Sequence, residues 1–203
     1  MSSGPLDLDG VRLVPEGPPS GAAPVLAHGT LTLRGAAGSD LFVDPLDGAR
    51  APGAERWVTA LGGDFMLAAH VDVEFRSTFD AGALIVWADD DAWLKLCAEL
   101  SPDGTARVVS VVTRGLSDDV NHWPVPGTGV HLRVARLGRA FALHASADGR
   151  TWDLARYLDL GVPQDVPVRA GLLAQSPTGG GAVARFTGVR LESRRLADVR
   201  DGS

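Results

Sequence analysis

The sequence predicts an all-β chain folded as an antiparallel two-sheet β-sandwich, a jelly roll. Three observations predict it. Short apolar-rich runs recur along the chain between Gly, Pro and Asp turns, several of those runs alternate with a period of two, and no segment carries a long 3.6-residue repeat. With 25 Gly, 13 Pro and 45% hydrophobic residues, turns are frequent and apolar surface suffices for a core. A chain of 203 residues suits one sandwich domain, which at this size buries about 70% of its unfolded surface.

The runs follow in order. Residues 1–24 are rich in Gly, Pro and Ser and are expected to form an extended lead-in, with the sandwich over 25–192 and a C-terminal tail over 193–203. Leu26–Leu33 precedes the turn residues 35–39. In Phe65–Phe75, Leu67, Ala69, Val71, Val73 and Phe75 share one face. Ala83–Ala88 meets Ala92–Leu100 across three aspartates, and Pro102-Asp103-Gly104 turns the chain into Ala106–Arg114. Val130–Arg136 and Arg139–Ser146 flank Leu137-Gly138, a two-residue hairpin turn. Val168–Gln175 and Val183–Leu191 complete the set, and Leu154–Leu158 is the best helix candidate, about one turn long. No internal repeat is present.

Ala92–Leu100 holds the only lysine and the only cysteine; every other basic residue is arginine. As a strand it places Leu94, Leu96, Ala98 and Leu100 on a core face and Trp93, Lys95, Cys97 and Glu99 on the other. A hairpin centred on Asp90 sets Trp87 across from Trp93, Ile85 from Lys95, Ala83 from Cys97 and Ala81 from Glu99, with opposed side chains roughly 5 Å apart. Lys95 and Glu99 lie about 13 Å apart along the strand and are placed to grip two ends of one ligand. Two tryptophans beside a cation and a carboxylate suit a saccharide, whose rings stack on aromatic faces while charged groups take its hydroxyls. The alternative is that the tryptophans plug one end of the sandwich.

Leu116–Pro124 is the densest polar cluster. Asp118, Asp119 and Asn121 are hard oxygen donors of the kind Ca²⁺ uses, but they lack the spacing of a calcium loop; a solvated turn is the favoured reading, and a loop that rims a ligand site is the alternative. No metal or other cofactor is expected. Glycoside hydrolysis needs two carboxylates; Glu99 is the catalytic candidate, with Asp72, Glu74 or Asp118 as possible seconds. Ser146-Ala147-Asp148-Gly149 before Trp152 is a turn signal. Cys97 has no flanking base, His70, His131 and His144 share no metal-ligand spacing, and Gly179-Gly180-Gly181 precedes no helix, so none of these indicates a reaction.

A net charge of −6 and the absence of a basic stripe argue against nucleic acid as a partner. No run of 18 apolar residues and no secretory signal are present, so a cytoplasmic protein with no membrane partner is the simplest expectation. A homodimer is compatible with the sequence, which does not fix an oligomeric state. Residue usage resembles that of a high-GC bacterium.

Gly63-Asp64-Phe65, Phe79-Asp80 with Gly82-Ala83-Leu84, Trp93-Leu94-Lys95 with Glu99, and Val111-Val112-Thr113 stand in a familiar order. Ser117-Asp118, Ser146 with Asp148-Gly149 and Trp152, Gly171–Ala174 with Ser176-Pro177, and Phe186 continue it. Over roughly residues 40–191 the chain resembles the uncharacterised bacterial and fungal family labelled regulation-of-enolase-like. That resemblance implies a concanavalin A-like lectin/glucanase fold with a concave face and no established enzymatic activity. It carries over Trp93, Lys95, Glu99, Thr113 and Asp118 as polar or aromatic site positions. The chain departs from the family at Ala81-Gly82-Ala83, where many members have Gln-Ala-Gly, and at Trp87, where a polar residue is common.

The resulting expectation is a saccharide or other small polar ligand bound on the concave sheet face. Lys95, Glu99 and Thr113 would supply polar contacts, Trp87 and Trp93 stacking, and Asp118 a rim contact. A glycoside hydrolase using Glu99 and a non-catalytic protein-interaction or regulatory module are the alternatives.

Overall fold

Strands alternate their side chains, and here that alternation builds two layers. The computed structural model describes residues 4–8 and 10–203. Its first sheet has eight strands in the order β1 (Leu6–Leu8), β2 (Val11–Glu16), β5 (Arg56–Leu61), β14 (Val168–Gln175), β7 (Ala81–Trp87), β8 (Ala92–Leu100), β9 (Ala106–Arg114) and β10 (Leu116–Pro124). The second has seven: β13 (Asp153–Asp159), β12 (Ala140–Ser146), β11 (Gly129–Leu137), β6 (Phe65–Glu74), β15 (Ala182–Glu192), β4 (Thr30–Gly35) and β3 (Val25–Ala27). All named strand pairs are antiparallel, as expected of a sandwich.

Leu84, Val86, Leu94 and Leu96 of the first sheet pack against Val71, Leu132, Val134 and Phe186 of the second, all with 0% exposure. At Gly82 the sheets come so close that a Cβ would lie 2.8 Å from the Ala184 methyl, so any larger residue would push them apart. The hairpin register is the one the sequence predicts, with Trp87, Ile85, Ala83 and Ala81 opposite Trp93, Lys95, Cys97 and Glu99.

Four expectations need correction. The lead-in is part of the sandwich: β1 and β2 extend the first sheet beside β5, and Leu8 and Leu13 are buried in the core. The tail also packs, with Leu196 buried against Met66, Ala135, Leu137 and Ala142. Leu154–Leu158 is strand, because β12 offers it a free edge to pair with. The 116–124 segment is likewise an edge strand paired to β9, with Ser117 buried and Asp118, Asp119 and Asn121 exposed where an edge tolerates them. A smaller shift occurs at the β11–β12 hairpin, whose turn is Gly138-Arg139, with Leu137 paired to Ala140.

The outer face of the first sheet is not open. Residues 36–55 cross it as a strap, and Leu41, Val43 and Ala54 bury Ala83, Ile85, Cys97, Val109 and Leu173. The strap is fastened at two points, one near its start and one midway. Gly38 N donates to Ser176 O at the first; at the second, Val43 N donates to Ser117 Oγ and Ser117 N to Val43 O.

Candidate functional site

Beside the strap the outer face stays open over β8 and β9. A cavity of about 230 Å³ is lined by Asp40, Phe42, Phe79, Lys95, Glu99, Val109, Val111, Asp119 and Gln175. Its floor is β8 and β9, where strand alternation turns Lys95, Glu99, Val109 and Val111 outward together. Strap residues Asp40 and Phe42 form one wall. Asp119 stands opposite Val111 on β10.

Lys95 is 2% exposed, and its Nζ donates to Asp40 Oδ1 at 3.1 Å and to Gln175 Oε1 at 2.9 Å. Burial disfavours its charge, yet the Asp40 and Glu99 carboxylates outweigh that penalty and hold the ammonium above its ordinary range. Gln175 stands in register with Ala81, which stands in register with Glu99. The amide missing at Ala81 is therefore supplied from the next strand.

Glu99 is 8% exposed and accepts no hydrogen bond among the described residues. Burial pushes its carboxyl up to about 7; Lys95 opposes the rise, and the nearby Asp40 and Asp119 add to it. Cys97, between the two, is fully buried, and burial pushes its thiol well up, which makes it packing rather than a nucleophile.

Phe79 enters from the turn before β7 with φ of 69°, left-handed backbone that a bulky residue rarely adopts. The buried Asp80 enforces that turn: its Oδ2 accepts from Arg76 N and Ser77 N, and its Oδ1 accepts from Ser176 Oγ at 2.6 Å. The result is a half-exposed aromatic ring at the cavity mouth.

Of the residues picked from sequence, the structure brings only Lys95 and Glu99 together in this cavity. Trp87 and Trp93 stack with centroids 5.8 Å apart, but the strap buries them and the Arg56 guanidinium sits 3.8 Å over Trp87. Only their edges border a separate groove beside strap residues 41–43 and 50–53. Thr113 is buried and hydrogen-bonds Ser117 Oγ at 2.8 Å, so it anchors the strap. Asp118 points the opposite way from Asp119 and pairs with Arg156 of β13 at 3.1 Å, tying the two open sheet edges together. That alternation also keeps Asp118 and Asp119 from converging on a cation, and no cluster of three or more His, Cys, Asp or Glu ligands occurs among the described residues.

Sequence reasoning missed Asp40 and Phe42, which reach the site only through the strap, and Gln175, which needs the strand pairing to be placed; it named Asp119 only as an oxygen donor of the 116–124 cluster. Phe79 did carry a signal, since Phe79-Asp80 is one of the motifs shared with the family the sequence resembles.

The fold is an antiparallel two-sheet β-sandwich with a small polar cavity on the outer face of its first sheet. The chain belongs to the family described as protein of unknown function (DUF1349), whose model matches residues 21–194. It is 30% identical over 131 residues to the protein named Regulation of enolase protein 1 of Saccharomyces cerevisiae, a match spanning 62% of this chain and 63% of that protein. Among solved structures it resembles a functionally unknown Saccharomyces cerevisiae protein, with a TM-score of 0.81, 24% identity, and 90% and 97% of the two chains covered. It resembles the GH43 protein BlXynB of Bacillus licheniformis with a TM-score of 0.65 and 14% identity, over 81% of this chain and 33% of that one. The carbohydrate binding module CBM66 of Bacillus subtilis aligns with a TM-score of 0.51 and 17% identity, over 81% and 96% of the chains. At these identities the structural likeness establishes the fold alone.

Proposed function

We propose that the chain binds a saccharide or similar small polyhydroxylated ligand in the Lys95–Glu99 cavity. The observation that carries this reading is a buried ammonium and a buried carboxyl without a hydrogen-bond partner on one floor, beneath the rings of Phe42 and Phe79. Hydroxyls would exchange hydrogen bonds with Glu99, Asp119 and Gln175 while a sugar face rests on a phenyl ring, the usual division of labour in polar-ligand pockets. At about 230 Å³ the cavity falls below the roughly 300–1,000 Å³ of drug-sized sites, which points to one sugar unit or a chain end.

A thermal-shift screen of wild type and Glu99→Gln against mono- and oligosaccharides tests this. A ligand at ten times its Kd adds about 1.4 kcal/mol, which in a domain of this size raises Tm by roughly 3–6 °C. The shift should shrink in the variant. Absence of any sugar-dependent shift would overturn the reading in favour of a protein-interaction module.

One observation favours a hydrolytic extension of the same reading. A carboxyl held near pH 7 is suited to act as a general acid, and Asp40 and Asp119 bring further carboxylates to the cavity. Release of chromophore from aryl glycosides, abolished by Glu99→Gln, is the measurement that would establish it.

A further inference from the structure

The outer face of the second sheet carries a cavity of about 520 Å³, well away from the strap. Its most informative wall residue is Arg133 on β11, 6% exposed. Three arginines are buried among the described residues, and the other two have partners for their charge. Arg136 donates to the carbonyls of Gly138, Pro163 and Val166. Arg56 pairs with Glu16 at 3.2 Å and lies over Trp87; its Nε, like that of Arg133, has no hydrogen-bond partner among the described residues, but its charge is paired. Arg133 donates one hydrogen bond, from Nη2 to Gly202 O at 2.6 Å, and rests 4.1 Å above the Trp152 ring. Its Nε has no partner, and no carboxylate pairs with it among the described residues. A guanidinium has five donors, and burying such a charge without a counter-charge is costly.

The cavity lining as a whole is basic, four arginines against the carboxylates of Asp148 and Glu192. Arg150 and Arg190 line it, and neither forms an ion pair among the described residues. The two acids on its rim are already engaged. Glu192 contacts Arg194, and Asp148 is held at about 2 by backbone N–H groups of Thr151 and Arg150 and by Ser146 Oγ. His70 and His131, opposed in register on β6 and β11, stand edge to face with centroids 4.7 Å apart and offer further donors. An extra residue's worth of bulge in β15 between Thr187 and Arg190 opens the floor beside them.

We infer that this cavity is a second ligand site, specific for the oxyanion of a small organic molecule, a phosphate monoester or a carboxylate. Arg133 would provide the buried contact, with Arg150 and Arg190 closing over the anion from the rim. In a chain of net charge −6, three arginines without carboxylate partners converging on one concavity are otherwise unaccounted for. Guanidinium forks match the planar geometry of such anions.

The test is isothermal titration of the full chain, at constant ionic strength, with inorganic phosphate, glucose 6-phosphate, glucuronate and uncharged glucose. The expected result is saturable binding of at least one anion, with glucose silent at this cavity. Arg150→Ala/Arg190→Ala should weaken anion binding at least tenfold, whereas Arg139→Ala, a surface arginine elsewhere, should leave it unchanged. Both rim residues are exposed, so the double variant keeps its fold. Glucose 6-phosphate binding without glucuronate would assign a phosphate ester, and the converse a sugar acid. No saturable anion binding, or equal binding in wild type and the double variant, would overturn the inference. Glu99→Gln should not alter this titration, which separates it from the Lys95–Glu99 site.

Discussion

Asp40 Oδ1 lies 3.1 Å from Lys95 Nζ across 55 residues of sequence, and this contact joins the strap to the sheet it covers. Lys95 is buried while the Asp40 side chain is 22% exposed, so the two partners are not equivalent. Removing one member of a buried pair leaves the other uncompensated and typically costs about 3–5 kcal/mol. Asp40→Asn, which keeps the shape and sits partly in water, should cost less, about 1–3 kcal/mol. The Asp40→Asn/Lys95→Met double variant should be more stable than the sum of the singles. Urea unfolding of the four proteins gives that coupling directly.

Glu99 predicts the pH dependence of stability. Its carboxyl lies near 4.5 in an ordinary setting and at about 7 in the fold. Below pH 4.5 folded and unfolded chains both carry the proton, and this contribution is complete. Between 4.5 and 7 the unfolded chain loses the proton first and stability falls; above 7 the loss levels off. At about 1.4 kcal/mol per unit, the full span is about 3 kcal/mol. Glu99→Gln should therefore match wild type near pH 4.5 and exceed it by up to that amount at pH 8. Thermal melts at both pH values check the sign.

Those two residues were also the legible part of the site. Alternation in Ala92–Leu100 and a hairpin centred on Asp90 are local features, so the register from Trp87 to Glu99 could be read from sequence. β10 could not, because an edge strand tolerates polar residues on both faces and Ser117-Asp118-Asp119 then looks like a turn. The same mistake of parity assigned the rim to Asp118 rather than Asp119. The tryptophans were misjudged for a different reason. Nothing local in residues 36–55 announces that they lie over β7 and β8, and without that cover a Trp pair looks like a binding platform. Arg133 carries no sequence signal at all, since its missing partner is a property of the packed fold.

Ser117 offers a way to loosen the strap without touching the cavity. Its Oγ is the acceptor for Val43 N at 2.9 Å and the partner of Thr113 Oγ1. Ser117→Ala leaves a buried N–H unsatisfied, which costs about 1–3 kcal/mol. Amide hydrogen exchange should accelerate across 41–51 more than in β8 or β9, which have their own ladders. Uniform acceleration would mean that the strap and the sheet open as one unit.

Phe79 separates stability from binding. Its left-handed backbone costs a non-glycine residue about 1–2 kcal/mol, and the residue is 37% exposed, so its apolar burial offsets that cost by about as much. Asparagine tolerates the same φ, and the hydrogen bonds that Asp80 accepts from Arg76 N and Ser77 N would remain. Phe79→Asn should thus change stability by no more than about 1 kcal/mol, because relief of the turn offsets the lost burial of the ring. Sugar binding should weaken at least fivefold if the ring is the stacking surface of the Lys95–Glu99 cavity. Asp80→Ala provides the contrast. It removes the acceptor that fixes the turn, so stability and binding should fall together. A Phe79→Asn variant that is less stable yet binds sugar unchanged would show that the ring is there for packing, and the strained turn would then need another explanation.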